Sequence, residues 1–190
     1  MPETTPNREA NLERIIDLEW AMFHAVKASE PAACQEEEGT FRLMRWMSHV
    51  IHEDELLAAL VTHLEAATAA GRNLMTEKYA RMGGQIPPLK VTPVIDKIVA
   101  AERGWMEALT RRYPLTFPGA GDRFEAYLAA DLETWSDEAL ELYEHAVLRA
   151  LGEDCNLVEA RYVKLFGRLG YASIEAREQK TRMQLFKCAQ

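Results

Sequence analysis

The sequence predicts an all-α fold, a single-domain bundle of about seven to eight helices. Three observations carry this. Apolar residues recur at spacings of three and four along almost the whole chain. Runs of alternating β-branched residues and Asn-Gly or Asp-Gly hairpin signals are missing. The connections between periodic stretches are short, as they are between neighbouring helices of one compact unit.

Residues 1–7 are polar and proline-bearing and are expected to form a disordered tail, with the single domain running over 8–190. From about Arg8, the residues Leu12, Ile15, Ile16, Glu19, Met22, Phe23 and Val26 share one helical face. Ser29-Glu30-Pro31 ends that helix, because proline disfavours helix in the residue before it. A loop carrying Cys34 and Gln35 follows. A second helix from about Glu36 presents Phe41, Met44, Met47 and Ile51. His52-Glu53-Asp54 marks a kink or a fresh start before Leu56, Leu57, Leu60 and Leu64 continue the period to Ala70. Gly71 is a natural stop.

Asn73 is placed to cap a helix over Leu74 to Met82, closed by Gly83-Gly84. Ile86-Pro87-Pro88 reads as a linker. Thr92-Pro93 reads as a cap followed by a first-turn proline, opening a helix with Val94, Ile98, Ala101, Trp105 and Leu109 on its stripe. A long helix is predicted from Asp122 through Leu151, with Phe124, Leu128, Leu132, Trp135, Ala139, Tyr143 and Val147 on its apolar face. Leu157 to Leu169 forms another, and Ser173 caps a last, highly charged one.

The chain has 190 residues, of which 48% are hydrophobic and 27% charged, which suits an ordinary globular domain. Such a domain buries roughly 70% of its unfolded surface and needs no covalent staples. Lys and Arg total 22 and Asp and Glu 30, for a net charge of −8. That balance argues against nucleic-acid binding, which calls for a basic footprint. No apolar run approaches the ~20 residues that cross a bilayer, so no membrane partner is expected. The N-terminus has no apolar segment behind a basic start and does not read as a signal peptide. Cys34, Cys155 and Cys188 form neither a CxxC pair nor an even framework; they read as reduced thiols of a cytoplasmic protein.

The densest polar constellation is Gly71-Arg72-Asn73-Leu74-Met75-Thr76-Glu77-Lys78-Tyr79-Ala80-Arg81-Met82. Arg72 and Asn73 stand at a helix start, where unpaired backbone N–H groups attract an anion. Arg72 can offer a planar fork to a carboxylate or phosphate. The same residues can instead lock helices together, with Arg72, Glu77 and Arg81 pairing internally. Both readings stand at the level of sequence. There is no Walker A and no GxGxxG pattern, so a nucleotide site has no support.

Other clusters are weaker. His49 and His52 are three apart, with His63 further on, but they lack an HExxH pattern. Glu138, Glu141 and His145 share a helix face, yet no second helix repeats the row as a di-iron bundle would. Cys34 lies near a helix start that favours thiolate, while Glu36-Glu37-Glu38 opposes it. Trp20, Trp46, Trp105 and Trp135 sit on helical stripes and read as core. No metal site and no particular cofactor is expected from these patterns.

Several strings resemble a known family. They are Glu19-Trp20-x-Met22-Phe23-x-x-Val26, Cys34-Gln35, Phe41-x-x-Met44-Arg45, and above all Gly71-Arg72-Asn73-Leu74 with Glu77-Lys78-Tyr79-Ala80-Arg81-Met82. Trp105-Met106-Glu107, Leu132-Glu133-Thr134-Trp135-Ser136, Leu142-Tyr143, Asn156-Leu157 and Gly170-Tyr171 extend the match from Glu19 to Ala176. These resemble domain of unknown function 4125, a bacterial family, although Trp135 stands where its pattern has tyrosine. The resemblance implies a helical bacterial protein and no particular activity. It singles out Glu19, Cys34, Gln35, Arg45, Arg72, Asn73, Glu77, Tyr79 and Arg81 as motif residues.

The reading that follows is a site for a small anionic ligand, held by Arg72, Asn73, Tyr79, Arg81, Gln35 and Arg45. If the site is enzymatic, Glu19 or Glu77 would be the base and Cys34 the nucleophile. A polar motif at a helix start costs stability unless it is paired or used. Two alternatives remain: an interaction module that docks a protein partner or a second copy through its last helix, and a carboxylate–histidine metal protein.

Overall fold

The computed structural model describes residues 6–26, 37–119 and 122–188. Among them are nine helices and no strand: α1 (Pro6–His24), α2 (Glu38–His49), α3 (Asp54–Ala69), α4 (Leu74–Met82), α5 (Pro93–Arg112), α6 (Asp122–Leu132), α7 (Asp137–Gly152), α8 (Leu157–Arg168) and α9 (Ile174–Cys188). None of these is long and apolar enough to cross a membrane. Cys34 and Gln35 lie outside the described residues.

The all-α reading holds, and the count exceeds the expected seven to eight for a local reason. The long helix predicted from Asp122 to Leu151 is two helices. Ser136 takes an extended conformation and its Oγ accepts from the Ala139 N–H at 3.2 Å, which starts α7 afresh. Asp137 and Glu138 then sit in the first turn, where carboxylates favour the helix dipole. At the other junction, His52-Glu53-Asp54 is a fresh start and not a kink. At α1 the helix closes at His24, earlier than Ser29-Glu30-Pro31. There the Val26 N–H turns back tightly to the Phe23 carbonyl at 3.1 Å.

Helix α1 packs on α2, α3 and α4; α7 on α3 and α5; α6 on α4 and α5; and α8 on α2, α5 and α9. The larger apolar core joins Ile15, Leu57, Ile98, Ala139 and Val147 from four helices. A smaller one gathers Tyr113, Phe117, Phe166 and Ile174 between α5, α8 and α9. Trp105 touches both and joins them into one interior. Burying such side chains contributes about 1.5–3 kcal/mol each, which is what holds short helices together.

Two asparagines pin helix starts to distant helices. Asn73 caps α4, its Oδ1 accepting from the Thr76 N–H at 2.9 Å, and its Nδ2 donates to the Met22 carbonyl at 2.8 Å. That carbonyl lies in the last turn of α1, where intrahelical donors run out. Asn156 repeats the device, capping α8 through Glu159 N–H and donating to the Trp105 carbonyl of α5.

Candidate functional site

The interior holds charge as well as hydrocarbon. Glu19, Arg45, Lys78, Glu102, Asp131 and Arg161 are all buried, in company with His49, His52 and Tyr143. They form two clusters on either side of one cavity.

The first cluster spans α1, α2, α4 and α6. Arg45 Nε donates to Glu19 Oε2 at 2.7 Å, and its Nη2 donates to Glu19 Oε1. The same guanidinium reaches Asp131 Oδ2 at 3.3 Å from Nη1 and 3.4 Å from Nη2. Lys78 Nζ donates to Asp131 Oδ1 at 2.6 Å and lies 3.6 Å from the centre of the Tyr127 ring. His49, one turn after Arg45, brings Nε2 to 3.2 Å from Glu19 Oε1. Its Nδ1 is buried without a partner.

The second cluster spans α5, α7 and α8. Arg161 donates from Nη1 to Glu102 Oε2 at 3.1 Å and from Nη2 to Glu102 Oε1 at 3.0 Å. The Tyr143 hydroxyl donates to Glu102 and accepts from Arg161 Nη2 at 3.2 Å. Arg161 Nε is buried with no partner.

Between them lies a cavity of about 210 Å3, walled by His49, His52, Tyr127, Trp135, Tyr143 and Arg161, with methionine and leucine beside them. His52 packs edge-on against Trp135 and Tyr143, with ring centres 5.7 and 4.9 Å away.

The electrostatics follow from burial and pairing. Burial alone would raise the Glu19 carboxyl, but Arg45 and His49 outweigh it and bring it from 4.5 down to about 2. Asp131 is likewise held well below the usual carboxylate range, where Arg45 and Lys78 overcome burial. Burial pushes His52 well below its ordinary 6.5, and its neighbours His49, Arg161, Arg8 and Arg45 push it further. It is therefore a neutral imidazole near pH 7. Burial and the Glu102 carboxylate push the Tyr143 phenol well above its ordinary 10.

These shifts predict acid sensitivity in two stages. The folded state resists protonating His52, so stability falls as pH drops below 6.5, the ordinary value that His52 regains on unfolding. The contribution of Glu19 is present above 4.5 and is lost as pH falls toward about 2. Urea unfolding of wild type and His52→Gln between pH 7.5 and 4 checks the first stage. The variant should lose less stability from pH 6.5 to 5; parallel curves would assign that loss to other groups.

The motif residues around α4 sit elsewhere. Arg72 is half-exposed and grips Glu77 through Nε and Nη2 at 3.0 and 2.7 Å. Asn73 is spent on its cap and on Met22. Tyr79 lies 5.8 Å from the Phe23 ring. Arg81 Nε donates to Glu133 at 2.9 Å, and Glu133 also accepts the Leu89 N–H at 3.0 Å. Among the described motif residues, only Glu19 and Arg45 enter the buried network. Asn73→Ala should therefore cost about 1–2 kcal/mol, a cap plus an interhelical bond. Arg72→Ala should cost under about 1 kcal/mol, since an exposed pair contributes little. Thermal melts of both variants check the order, and a larger loss for Arg72 would contradict it.

The metal reading finds no geometry. Glu138, Glu141 and His145 line an exposed face of α7. His63 Nε2 is engaged with the Thr134 carbonyl at 2.7 Å. No group of three or more His, Cys, Asp or Glu suited to a metal occurs among the described residues.

Reading the sequence missed Lys78, Glu102, Asp131, Tyr143 and Arg161 as site residues. Their signal is register. Glu102 falls between Ile98 and Met106, Asp131 beside Leu128 and Leu132, Arg161 between Val158 and Leu165, and Lys78 one turn after Leu74. Each is a charge in a position that its helix otherwise fills with apolar side chains.

The family model described as Protein of unknown function (DUF4125) matches residues 9–179. The chain belongs to that family. No curated protein and no solved structure matches it.

Proposed function

We propose that this member of the DUF4125 family binds a small organic molecule in the cavity bounded by α2, α5, α6, α7 and α8. The observation that carries this reading is the pair of buried charge clusters facing one aromatic-walled cavity. Buried ion pairs are a poor way to stabilise a fold, since well-packed apolar residues do as well or better. Six buried charges, of which Glu102, Asp131 and Arg161 line the space itself, fit the pattern of a binding site: concave, largely apolar, with a few placed polar groups. Asn73 and Arg81 serve it from outside, by tying the helix that carries Lys78 to Met22 of α1 and to Glu133. The setting that suits the free, exposed thiol of Cys155 is the reducing cytosol of a bacterium.

The test uses neutral aromatic fragments. Toluene, phenol and indole should each show binding by ligand-observed NMR to the wild type. Leu128→Trp, which fills the cavity from its wall, should abolish it while circular dichroism and melting stay close to wild type. Ser48→Phe fills the same space from α2 should the first variant melt early. Signals unchanged by filling, or absent from the wild type, would overturn the reading.

One observation favours a second reading, self-association. Helix α9 exposes Met183, Leu185 and Phe186, the last at 69%. It carries four basic residues against two acidic ones on a chain of net charge −8. An acidic face of a second copy would complement it. Light scattering after size exclusion should then give a dimer that Phe186→Glu or 0.5 M salt separates; a monomer at both salt levels rejects it.

A further inference from the structure

We infer that the cavity's ligand is a small aromatic monocarboxylate of about benzoate's size, bound together with one proton that His52 takes up from solvent. This rests on the small-molecule reading above and specifies its chemistry.

The walls carry more donors than acceptors. Both oxygens of Glu102 and both of Asp131 already accept hydrogen bonds. Arg161 Nε–H has no acceptor, and an arginine nitrogen can only donate. The Tyr127 hydroxyl accepts from Arg45 at 3.5 Å and keeps its own proton to give. The ring nitrogens of His52 and the hydroxyl of Tyr162, both on the cavity wall, have no hydrogen bond among the described residues. A ligand that completes this set must bring acceptors, and a carboxylate brings two oxygens in the planar form that a guanidinium edge matches.

Charge points the same way. Within the two clusters the carboxylates Glu19, Glu102 and Asp131 are matched by Arg45, Lys78 and Arg161, three against three. An incoming carboxylate is the first unmatched charge, and a buried unmatched charge is costly. His52 is the group that can answer it. Arg8 from α1, Arg45 from α2 and Arg161 from α8 place positive charge near it, and His49 from α2, Glu102 from α5, Tyr127 and Asp131 from α6, Tyr143 from α7 and Tyr162 from α8 are the other titratable groups beside it or on the same cavity wall. Burial first, and then a positive field, keeps a proton off His52, and that field attracts an anion beside it. Once the anion is seated, the balance reverses, and imidazolium becomes its counter-ion. The rest of the ligand follows from the walls. Trp135, Tyr143, Phe124 and Tyr162 form an aromatic enclosure. Its ~210 Å3 exceeds the roughly 150 Å3 that holds benzene in an engineered cavity.

Isothermal titration calorimetry of the full chain with sodium benzoate, benzamide, benzylammonium and toluene tests this. Titrations run at pH 7 in buffers of different ionisation enthalpy. Benzoate should bind at least tenfold tighter than the other three. The slope of heat against buffer enthalpy should show close to one proton taken up per benzoate, and none for toluene. In His52→Gln the uptake should vanish and the preference for benzoate over toluene shrink to threefold or less. The uptake in wild type stands by itself if that variant does not fold. Toluene or benzamide matching benzoate would overturn the inference and leave the cavity reading intact. Preferred benzylammonium would overturn it on the sign of the charge. Tight benzoate without proton uptake would remove His52 from the site. No binding by any of the four would bring down both readings.

Discussion

Arg45→Met should destabilise the protein by about 3–5 kcal/mol, the loss expected when one partner of a buried ion pair is removed. Arg45 is 3% exposed and bridges two carboxylates from different helices, Glu19 of α1 and Asp131 of α6. Methionine fills most of its volume, so the loss reports charge and not a cavity. Two carboxylates held low by this guanidinium would then face each other with only Lys78 and His49 to answer them. Glu19 in particular would move upward and take a proton, trading an uncompensated charge for a neutral acid. The companion variant Glu19→Leu/Arg45→Met removes the pair together and leaves Lys78 matched to Asp131 at 2.6 Å. It should recover most of the loss. Urea unfolding of the two single variants and the double variant closes the cycle. A double variant as unstable as Arg45→Met would mean that shape, and not charge, is what Arg45 contributes.

Glu102→Leu should cost a similar 3–5 kcal/mol for the opposite sign. Glu102 is fully buried and is the only carboxylate hydrogen-bonded to Arg161 among the described residues. Without it, a guanidinium that cannot shed its proton stays inside with a neutral phenol as its partner. The Tyr143 phenol, pushed up by burial and by Glu102, should titrate lower in the variant because one of the two causes is gone. Urea unfolding gives the first quantity and ultraviolet titration of tyrosine the second. Glu102→Leu/Arg161→Met should again be milder than the single change. A loss under about 1 kcal/mol for Glu102→Leu would show that water reaches Arg161 and solvates it.

The fold was legible where local chemistry decides it. Asn73, Thr92 and Ser173 announce helix starts, and all three do cap. The start at Ser136 was not read, because the apolar period runs unbroken from Leu132 through Trp135 to Ala139. Periodicity alone cannot show a corner that keeps its residues on the inner face. The site was less legible for a related reason. A polar cluster in the sequence, such as Arg72 to Arg81, stands out because its members are neighbours, and neighbours on one helix tend to satisfy one another. The buried clusters draw one or two residues from each of seven helices, and no local window contains two of their opposite charges. What a sequence does offer is the isolated misfit, Glu102 in the stripe of α5 or Arg161 in that of α8, and its partner becomes visible only when the helices are packed.

The corner between α6 and α7 has a consequence for the order of assembly. Four side-chain bonds converge on three consecutive residues there: Arg81 and the Leu89 N–H on Glu133, His63 on the Thr134 carbonyl, and Lys90 on the Trp135 carbonyl. These partners lie 44 to 71 positions away along the chain. Closing loops of that length carries an entropic penalty that local helix contacts do not. The corner therefore locks after the helices have met, on the native side of the folding barrier. Weakening it, as by Lys90→Met, should quicken unfolding and leave the refolding rate nearly untouched. One tight turn, held shut by three separate stretches of chain, then helps to set how long the molecule stays folded.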